Sequence, residues 1–450
     1  MIQIILTYIF GGLSRGSLVS SLSPIIIKMY LSHYYIPLST LTKPIISMMS
    51  ISALTGSAIG SFTAIPVIKV LGRKRSLMFS SVLLAVSELL QMIPVQWGYV
   101  VFMRIVAGIA SNYTITVIPM LCSEFLEANI RGSVGALLNV AIATGMVLSN
   151  IVQYFIFGKS KYYWTMNIIP VTFALCTFGI SFFLKEISPK IGVVEQKENI
   201  FQKKFYKCFI VAIGLGFIIS GSGINPALQY SSIIFADSFK SSHSSCIGSL
   251  ISSGINMLAS IISLPLVRIF KRKPLLIFSF IVMIISFIIY FISQNERTNA
   301  KNTLVIVATA LLTFAYSSSG GPLFYTLTAE IFPLIIKTKM MVIVMTINWT
   351  TIIITTFVFP LTTLVNNVII YFCCVVMMFI LLTIWLPESM GKTLHENSIN
   401  MIAQKYVFTQ NMKNETKNTV QIIEQPIQIA EEPSQTVVVT EQSSLQQIVD

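Results

Sequence analysis

Aspartate is nearly missing from this chain. Of 450 residues only Asp237 and Asp450 are aspartates, and charged residues of all kinds make up 10%. A soluble domain carries about 25%, so a water-facing surface of ordinary charge density is excluded. Histidine is scarce as well: His33, His243 and His395 all fall in loops. There is no Ser–His–Asp arrangement, phosphate loop or metal-ligand spacing, so hydrolytic, group-transfer and metalloenzyme chemistry have no residues to run on. A non-enzyme that needs no cofactor is the reading. The six cysteines (Cys122, Cys176, Cys208, Cys246, Cys373, Cys374) sit in or beside apolar runs. They read as small buried hydrophobes rather than disulfides or metal ligands. The start of the chain lacks a charged leader and a cleavage site, so its first apolar run reads as a membrane helix and not as a signal peptide.

What the chain has in abundance is apolar surface. Hydrophobic residues make up 54%, and the mean hydropathy is +0.79. Apolar spans run over approximately 3–27, 45–68, 76–95, 97–121, 132–156, 164–184, 207–235, 246–267, 274–293, 303–329, 339–363 and 367–386. A helix of about 20 apolar residues crosses a hydrocarbon core, so the lipid bilayer is the first partner. The formal net charge of +13 raises nucleic acid as another, but the bases fall in short loops between spans and form no face interleaved with aromatics. No nucleic-acid binding is expected.

Twelve spans place both termini on one side. The loops there hold Lys69 with Arg73, Lys74 and Arg75, then Arg131, then Lys185 to Lys207, Arg268 to Lys273, and Lys337 with Lys339. The opposite loops hold scattered bases such as Lys43, Lys159, Arg297 and Lys301. The excess of bases in cytoplasmic loops puts both termini in the cytoplasm, with the plasma membrane as the expected location. The expected organisation is a first bundle over 1–184, a polar connecting loop over 185–206, a second bundle over 207–397 and a tail over 398–450. That tail is rich in Gln, Glu, Ser and Thr and reads as disordered cytoplasm, available to cytoplasmic partners.

One charge device occurs twice. Glu124 precedes Arg131 by seven residues, and Glu330 precedes Lys337 by seven. Each pair stands where an apolar helix gives way to a short polar loop, and each follows a basic cluster: Arg73–Arg75 in the first half, Lys271–Lys273 in the second. A membrane chain with such a repeat reads as a duplicated bundle, an organisation typical of secondary transporters.

Several segments resemble the sugar porter family of the major facilitator superfamily. Gly221 to Phe235 (GSGINPALQYSSIIF) is similar to the family's QQxSGINxxxYYSxxIF run. Gly321 to Tyr325, with Ala329-Glu330-Ile331-Phe332-Pro333 and Lys337, resembles GPxPWxxxxEIFPxxxR. Asn348-Trp349 stands in span eleven, and Pro387 to Leu394 is close to PETKGxTL. In the first half Pro119 to Gly132 resembles PxYxSEIAxxxxRG, with Arg104 and Gly108 upstream as in GRxxxG. Glu127, where many relatives carry Pro, is reminiscent of the insect trehalose-transporter branch.

A sugar offers hydroxyls and a weakly apolar ring face, so its site needs neutral donors and acceptors with an aromatic plate. The resemblance implies that Asn139, Asn225, Asn256, Tyr325, Asn348 and Trp349 supply these. The other reading of such residues is interhelical hydrogen bonding and bundle packing. Gly221, Gly223 and Pro226 in span seven, and Gly320, Gly321 and Pro322 in span ten, are expected to break or bend their helices near the site and so to gate it. Family analogy makes Arg73, Glu124, Arg131, Lys271, Arg272, Glu330 and Lys337 a cytoplasmic latch between the halves; topology-setting loop charge is the plainer reading.

The chain also departs from the family. Ile219 and Ser220 replace a Gln pair that relatives aim at the sugar. Lys69 and Arg268 stand where loop acids are usual, so the latch is expected to be looser than in relatives. Leu18 falls where proton-coupled relatives carry Asp, which favours facilitated diffusion. Glu88 is an acid within span three, outside the sugar motifs and suited to a neutral or hydrogen-bonded structural role. The expectation is an all-α membrane protein of the major facilitator superfamily fold, with twelve transmembrane helices in two six-helix bundles. It would carry a hexose or a trehalose-like disaccharide by alternating access. A facilitator of another polyol or organic solute fits the missing Gln pair. A sugar sensor without transport fits the eroded latch and the tail.

Overall fold

A computed structural model of the chain describes residues 2–21, 42–93, 96–125, 128–156, 160–184, 205–231, 234–235, 242–295, 299–332 and 336–389, at a few helical positions for the backbone alone. Hydrocarbon cannot hydrogen-bond a backbone, so each crossing must satisfy its own N–H and C=O groups as helix. Every regular element among the described residues is helical. The first half comprises α1 (Ile2–Ser21), α2 (Thr42–Leu71), α3 (Arg73–Leu90), α4 (Trp97–Phe125), α5 (Ala128–Ile156) and α6 (Ile168–Phe182). In the second half α7 (Tyr206–Gly221) and α8 (Ile224–Gln229) form one broken crossing, followed by α9 (Ser242–Ile269) and α10 (Arg272–Asn295). Next, α11 (Asn299–Ala315) runs through a π-helical turn at Tyr316–Gly320 into α12 (Gly321–Glu330), and α13 (Lys337–Val358) and α14 (Leu364–Trp385) complete the set.

Ten of these helices are long and apolar enough to cross a bilayer. Two expected crossings fall short of that measure for different reasons. The 18 residues of α3 open on Arg73, Lys74 and Arg75, and they carry Ser76, Ser80, Ser81, Ser87 and Glu88, which are buried. The seventh crossing is divided because the chain breaks at Gly223. Large apolar side chains such as Phe62, Phe102, Phe155, Ile354 and Ile384 are exposed on the outer faces, where acyl chains would cover them.

Packing repeats between the halves. In the first half α1 lies on α5, and α2 and α3 both lie on α4. Across the seam α2 packs on α13 and α5 on α9. In crossing order these are the second with the eleventh and the fifth with the eighth, and exchanging the two halves turns one pair into the other. Lipid gives no hydrophobic drive to helix association, so close backbone approach takes over. A Cβ at Gly16 would run into the Ile142 carbonyl, and one at Gly145 into the Leu13 carbonyl. Gly56 against Ile105, and Gly108 against Ala53, do the same for α2 and α4.

The break in the seventh crossing is set by Gly223, which adopts φ 72° and ψ 6°, the left-handed region. A Cβ there would also lie 2.6 Å from the Tyr371 ring. Gly221 is still the last residue of α7, and Pro226 sits in the first turn of α8, where its missing N–H breaks no helical bond. The tenth crossing departs from regular α-helix without breaking. Gly321 is helical at φ −62° and ψ −56°, and the chain passes through the preceding π turn without interruption. That wider turn lies directly before Pro322, where the proline ring would otherwise press on the carbonyl four residues back.

Both basic clusters sit at helix starts, where the dipole disfavours cations, and each is tied to the end of its own half. Lys74 donates from Nζ to the Phe182 carbonyl at the end of α6 (2.8 Å). The Glu388 carboxylate, beyond α14, accepts from the backbone N–H groups of Arg272 (3.0 Å) and Lys273 (3.1 Å) at the start of α10. Gly223→Ala is expected to lower stability by about 2 kcal/mol or more through backbone strain. Gly254→Ala, where an added methyl meets nothing within 4 Å, is the control. Thermal unfolding of the detergent-purified variants should lower the midpoint for the first and leave the second near wild type.

Candidate substrate site between the two halves

Polar side chains inside a membrane are costly and turn towards the bundle interior. Asn256 and Asn348 stand about half-way along α9 and α13, helices that pack across the seam. Asn225 is the second residue of α8 and half-buried; its carboxamide nitrogen is buried without a hydrogen-bond partner in the protein. Asn348, in α13, is buried, and its carboxamide oxygen is likewise without a partner. The two helices pack on each other. A donor and an acceptor are thus both withheld from the protein's own network, at about 1–3 kcal/mol each.

Asn256 is engaged differently. Its Oδ1 accepts from the Ser317 hydroxyl of the π turn (2.6 Å), and its Nδ2 points at the Met146 sulfur of α5 across the seam (3.6 Å). Interhelical bonding therefore holds Asn256 in place at the seam. Asn139, on α5, and Trp349, on α13, are half-buried. The side chains of Tyr325, Ile219 and Ser220 lie outside the described residues.

A narrow recess lies beside Met146, with Val19, Asn150, Leu228, Gln229 and Ser249 among its walls. It lies on the side of the site away from the basic clusters, and there the halves are hydrogen-bonded together. Asn150 donates to the Ser249 carbonyl (3.3 Å), and Gln229 to the Ser50 carbonyl (2.9 Å). A larger cavity of about 420 Å³ lies within the second half, under Gly223 and bounded by Phe287, Tyr290, Phe359 and Tyr371; it does not touch the seam.

Two features had no signal in the motifs. Arg15, in the middle of α1, donates from Nη1 to the hydroxyls of Ser57 (2.6 Å) and Ser111 (3.1 Å). Its Cζ stands 5.7 Å from the centroid of the Trp349 ring, in the other half. Reading only loop bases and family motifs passes over it, although a base in mid-span is itself a signal. The second feature is the surroundings of Glu88. This fully buried acid accepts from Gln91 (2.8 Å) and lies within electrostatic reach of buried Arg104. Arg104 in turn donates to the Ser21 hydroxyl (3.1 Å) and the Leu18 carbonyl (3.3 Å). At Leu18, where an Asp is absent, the backbone carbonyl holds the arginine instead.

Of the latch residues, the backbone shows Glu124 ending α4 with Arg131 in the first turn of α5, and Glu330 ending α12 with Lys337 opening α13. Their side chains lie outside the described residues. Arg73 and Arg272 are half-buried and Lys271 is exposed. Glu388 is an acid that sequence reasoning did not assign to this face, although it lies within the PETKGxTL-like motif.

Helices duplicated about a seam, with polar side chains meeting across it, define a membrane carrier of the major facilitator fold. The family model described as "Sugar (and other) transporter" matches residues 16–190 and 191–400, and the chain belongs to this family of transporters, which are not enzymes. It is similar to the glucose transport protein of Synechocystis, with 23% identity over 79% of this chain and 89% of that protein. It is similar also to the glucose transporter GlcP of Staphylococcus epidermidis, with 25% identity over 67% and 75%. Among solved structures, a D-xylose–proton symporter superposes with a TM-score of 0.74 at 23% identity, covering 87% of this chain and 99% of that one. The inward-open xylose transporter XylE from E. coli gives 0.73 at 22%, covering 88% and 98%.

Arg104→Ala removes the hydrogen bonds to Ser21 and Leu18 that tie α4 to α1 and is expected to cost about 1.5–3 kcal/mol, and Glu88→Gln, which keeps an amide partner for Gln91, markedly less. Thermal unfolding and membrane yield of the two variants, compared side by side, check this order.

Proposed function

We propose that this protein carries a hexose or a trehalose-like disaccharide across the membrane by facilitated diffusion. The observation that carries the reading is the buried donor of Asn225 and the buried acceptor of Asn348, both without protein partners and on helices that pack on each other. Sugar hydroxyls donate and accept at once, so they complement such a pair, and the Trp349 indole offers a plate for the ring face. The names of the similar proteins, which include glucose and xylose transporters, support a sugar as cargo. Asn139, Asn256 and Tyr325 are proposed to complete the site.

In this reading the halves, 1–184 and 207–397, rock as bodies about the seam, with 185–206 as their connection. The break at Gly223, flanked by Gly221 and Pro226, would act as a hinge in the seventh crossing, and the π turn before Gly321 and Pro322 would flex in the tenth. Glu124 with Arg131 and Glu330 with Lys337, beside Arg73, Lys271 and Arg272, would close the cytoplasmic face in the opposite state, shifting a population rather than running a chemical step. Both termini are cytoplasmic in this scheme, the plasma membrane is the proposed location, and the tail over 398–450 is left for cytoplasmic partners.

The purified protein in liposomes should give saturable counterflow of labelled glucose or trehalose. Asn225→Ala should reduce it roughly fivefold, the worth of about 1 kcal/mol for one hydrogen bond. Absence of saturable flux for either sugar overturns the assignment. A pH gradient that drives accumulation, and ceases to do so in Glu88→Gln, overturns facilitated diffusion in favour of proton coupling.

A further inference from the structure

We infer that Ser317, in the π turn of the tenth crossing, is a positioning residue for the cargo. It turns the Asn256 carboxamide so that the NH₂ group faces α5 across the seam, where a sugar oxygen displaces the Met146 sulfur. This rests on the sugar-carrier reading above and deepens it, because it assigns how one donor of the site is oriented and what occupies that donor before the sugar does.

Both ends of the Asn256 carboxamide are engaged by partners far away in the chain. The Ser317 hydroxyl donates to Oδ1 over 2.6 Å, and Nδ2 stands 3.6 Å from the sulfur of Met146 on α5. A thioether accepts and cannot donate, so the nitrogen belongs on the sulfur side and the oxygen on the hydroxyl side. Asn256 and Ser317 are both buried. Turning the amide over would leave the sulfur facing an oxygen, with nothing to share between them.

Ser317 is held by the turn it belongs to. The Ala315 carbonyl at the start of that turn accepts from the Ser319 hydroxyl (2.9 Å) and from Ser279 of α10 (2.8 Å). Both of these serines are fully buried. The π turn is thereby fastened to α10 on one side while it packs on α9 on the other, and the Ser317 hydroxyl is delivered to Asn256 from a fixed backbone.

The two ends of the amide differ in strength. The oxygen has a short bond to a hydroxyl; the nitrogen has only a thioether, a weak acceptor. A sugar oxygen makes a stronger bond with the same NH₂ group. Since α5 and α9 pack across the seam, exchanging sulfur for sugar removes one contact between the halves as the cargo binds. The cargo then favours arrangements in which that contact is broken.

The test is counterflow of labelled glucose and trehalose by the full-length protein in liposomes, read as half-saturation concentration and as maximal rate per folded protein. Ser317→Ala should raise half-saturation about fivefold, the worth of one hydrogen bond, and keep the maximal rate. Added to Asn256→Ala, it should change half-saturation no further. Met146→Leu, which keeps the volume and removes the acceptor, should lower half-saturation about twofold. An unchanged half-saturation in Ser317→Ala overturns the inference, and so does a further rise when it is added to Asn256→Ala. Should Ser317→Ala fail to fold, Met146→Leu decides: half-saturation at or above that of the wild type overturns the inference. These outcomes, with saturable flux in the wild type, defeat the inference alone. No saturable flux of either sugar in the wild type defeats the sugar reading with it.

Discussion

Hydrocarbon offers a polypeptide no hydrogen bonds, and the molecule follows from that one deficiency. Backbone groups must be satisfied within each crossing, so among the described residues all regular structure is helix. Hydroxyls close back on their own helices, as Thr144 does on Val140 and Thr177 on Phe173. Irregular backbone is tolerated at such depth only where protein or a cavity lines it. The left-handed residue Gly223 sits there, covered by Tyr371. Polar side chains that are not consumed in this way meet partners on other helices, within a half as Arg104 does with Ser21 or across the seam as Asn256 does with Met146.

Glycine determines how closely the halves are built. The backbone contacts of α1 with α5 and of α2 with α4 need a missing Cβ on one partner, because dispersion falls away within an ångström of extra separation. The contacts across the seam, α2 with α13 and α5 with α9, are related by exchange of halves. On the face away from the basic clusters these are supplemented by amide-to-carbonyl bonds from Asn150 and Gln229.

Much of the fold was legible in the sequence, and its exceptions are physical ones. Apolar length located the crossings, even though α3 carries serines and Glu88, which are buried. The motif glycines located the break in the seventh crossing. In the tenth a π turn precedes Pro322 and the helix continues without a break. Motif position singled out Asn225, Asn256 and Asn348, but which amide atoms stay uncommitted depends on distant neighbours, as the Asn256 partners Ser317 and Met146 show. Arg15 shows the same limit. Its partners Ser57, Ser111 and Trp349 are brought to it by three other helices, and none of them is close in the chain.

The sequence by itself determined the solvent, the number of crossings, the duplication and the family, because each is written in composition, length or local motif. The tertiary structure decided which polar groups are satisfied and which face the seam. It turned Asn256 to Ser317 and Met146, left Asn225 and Asn348 open, gave Glu88 a cation and set Arg15 against Trp349. Hydrogen bonds and charges act over a few ångströms, and only folding brings residues so distant along the chain within that range.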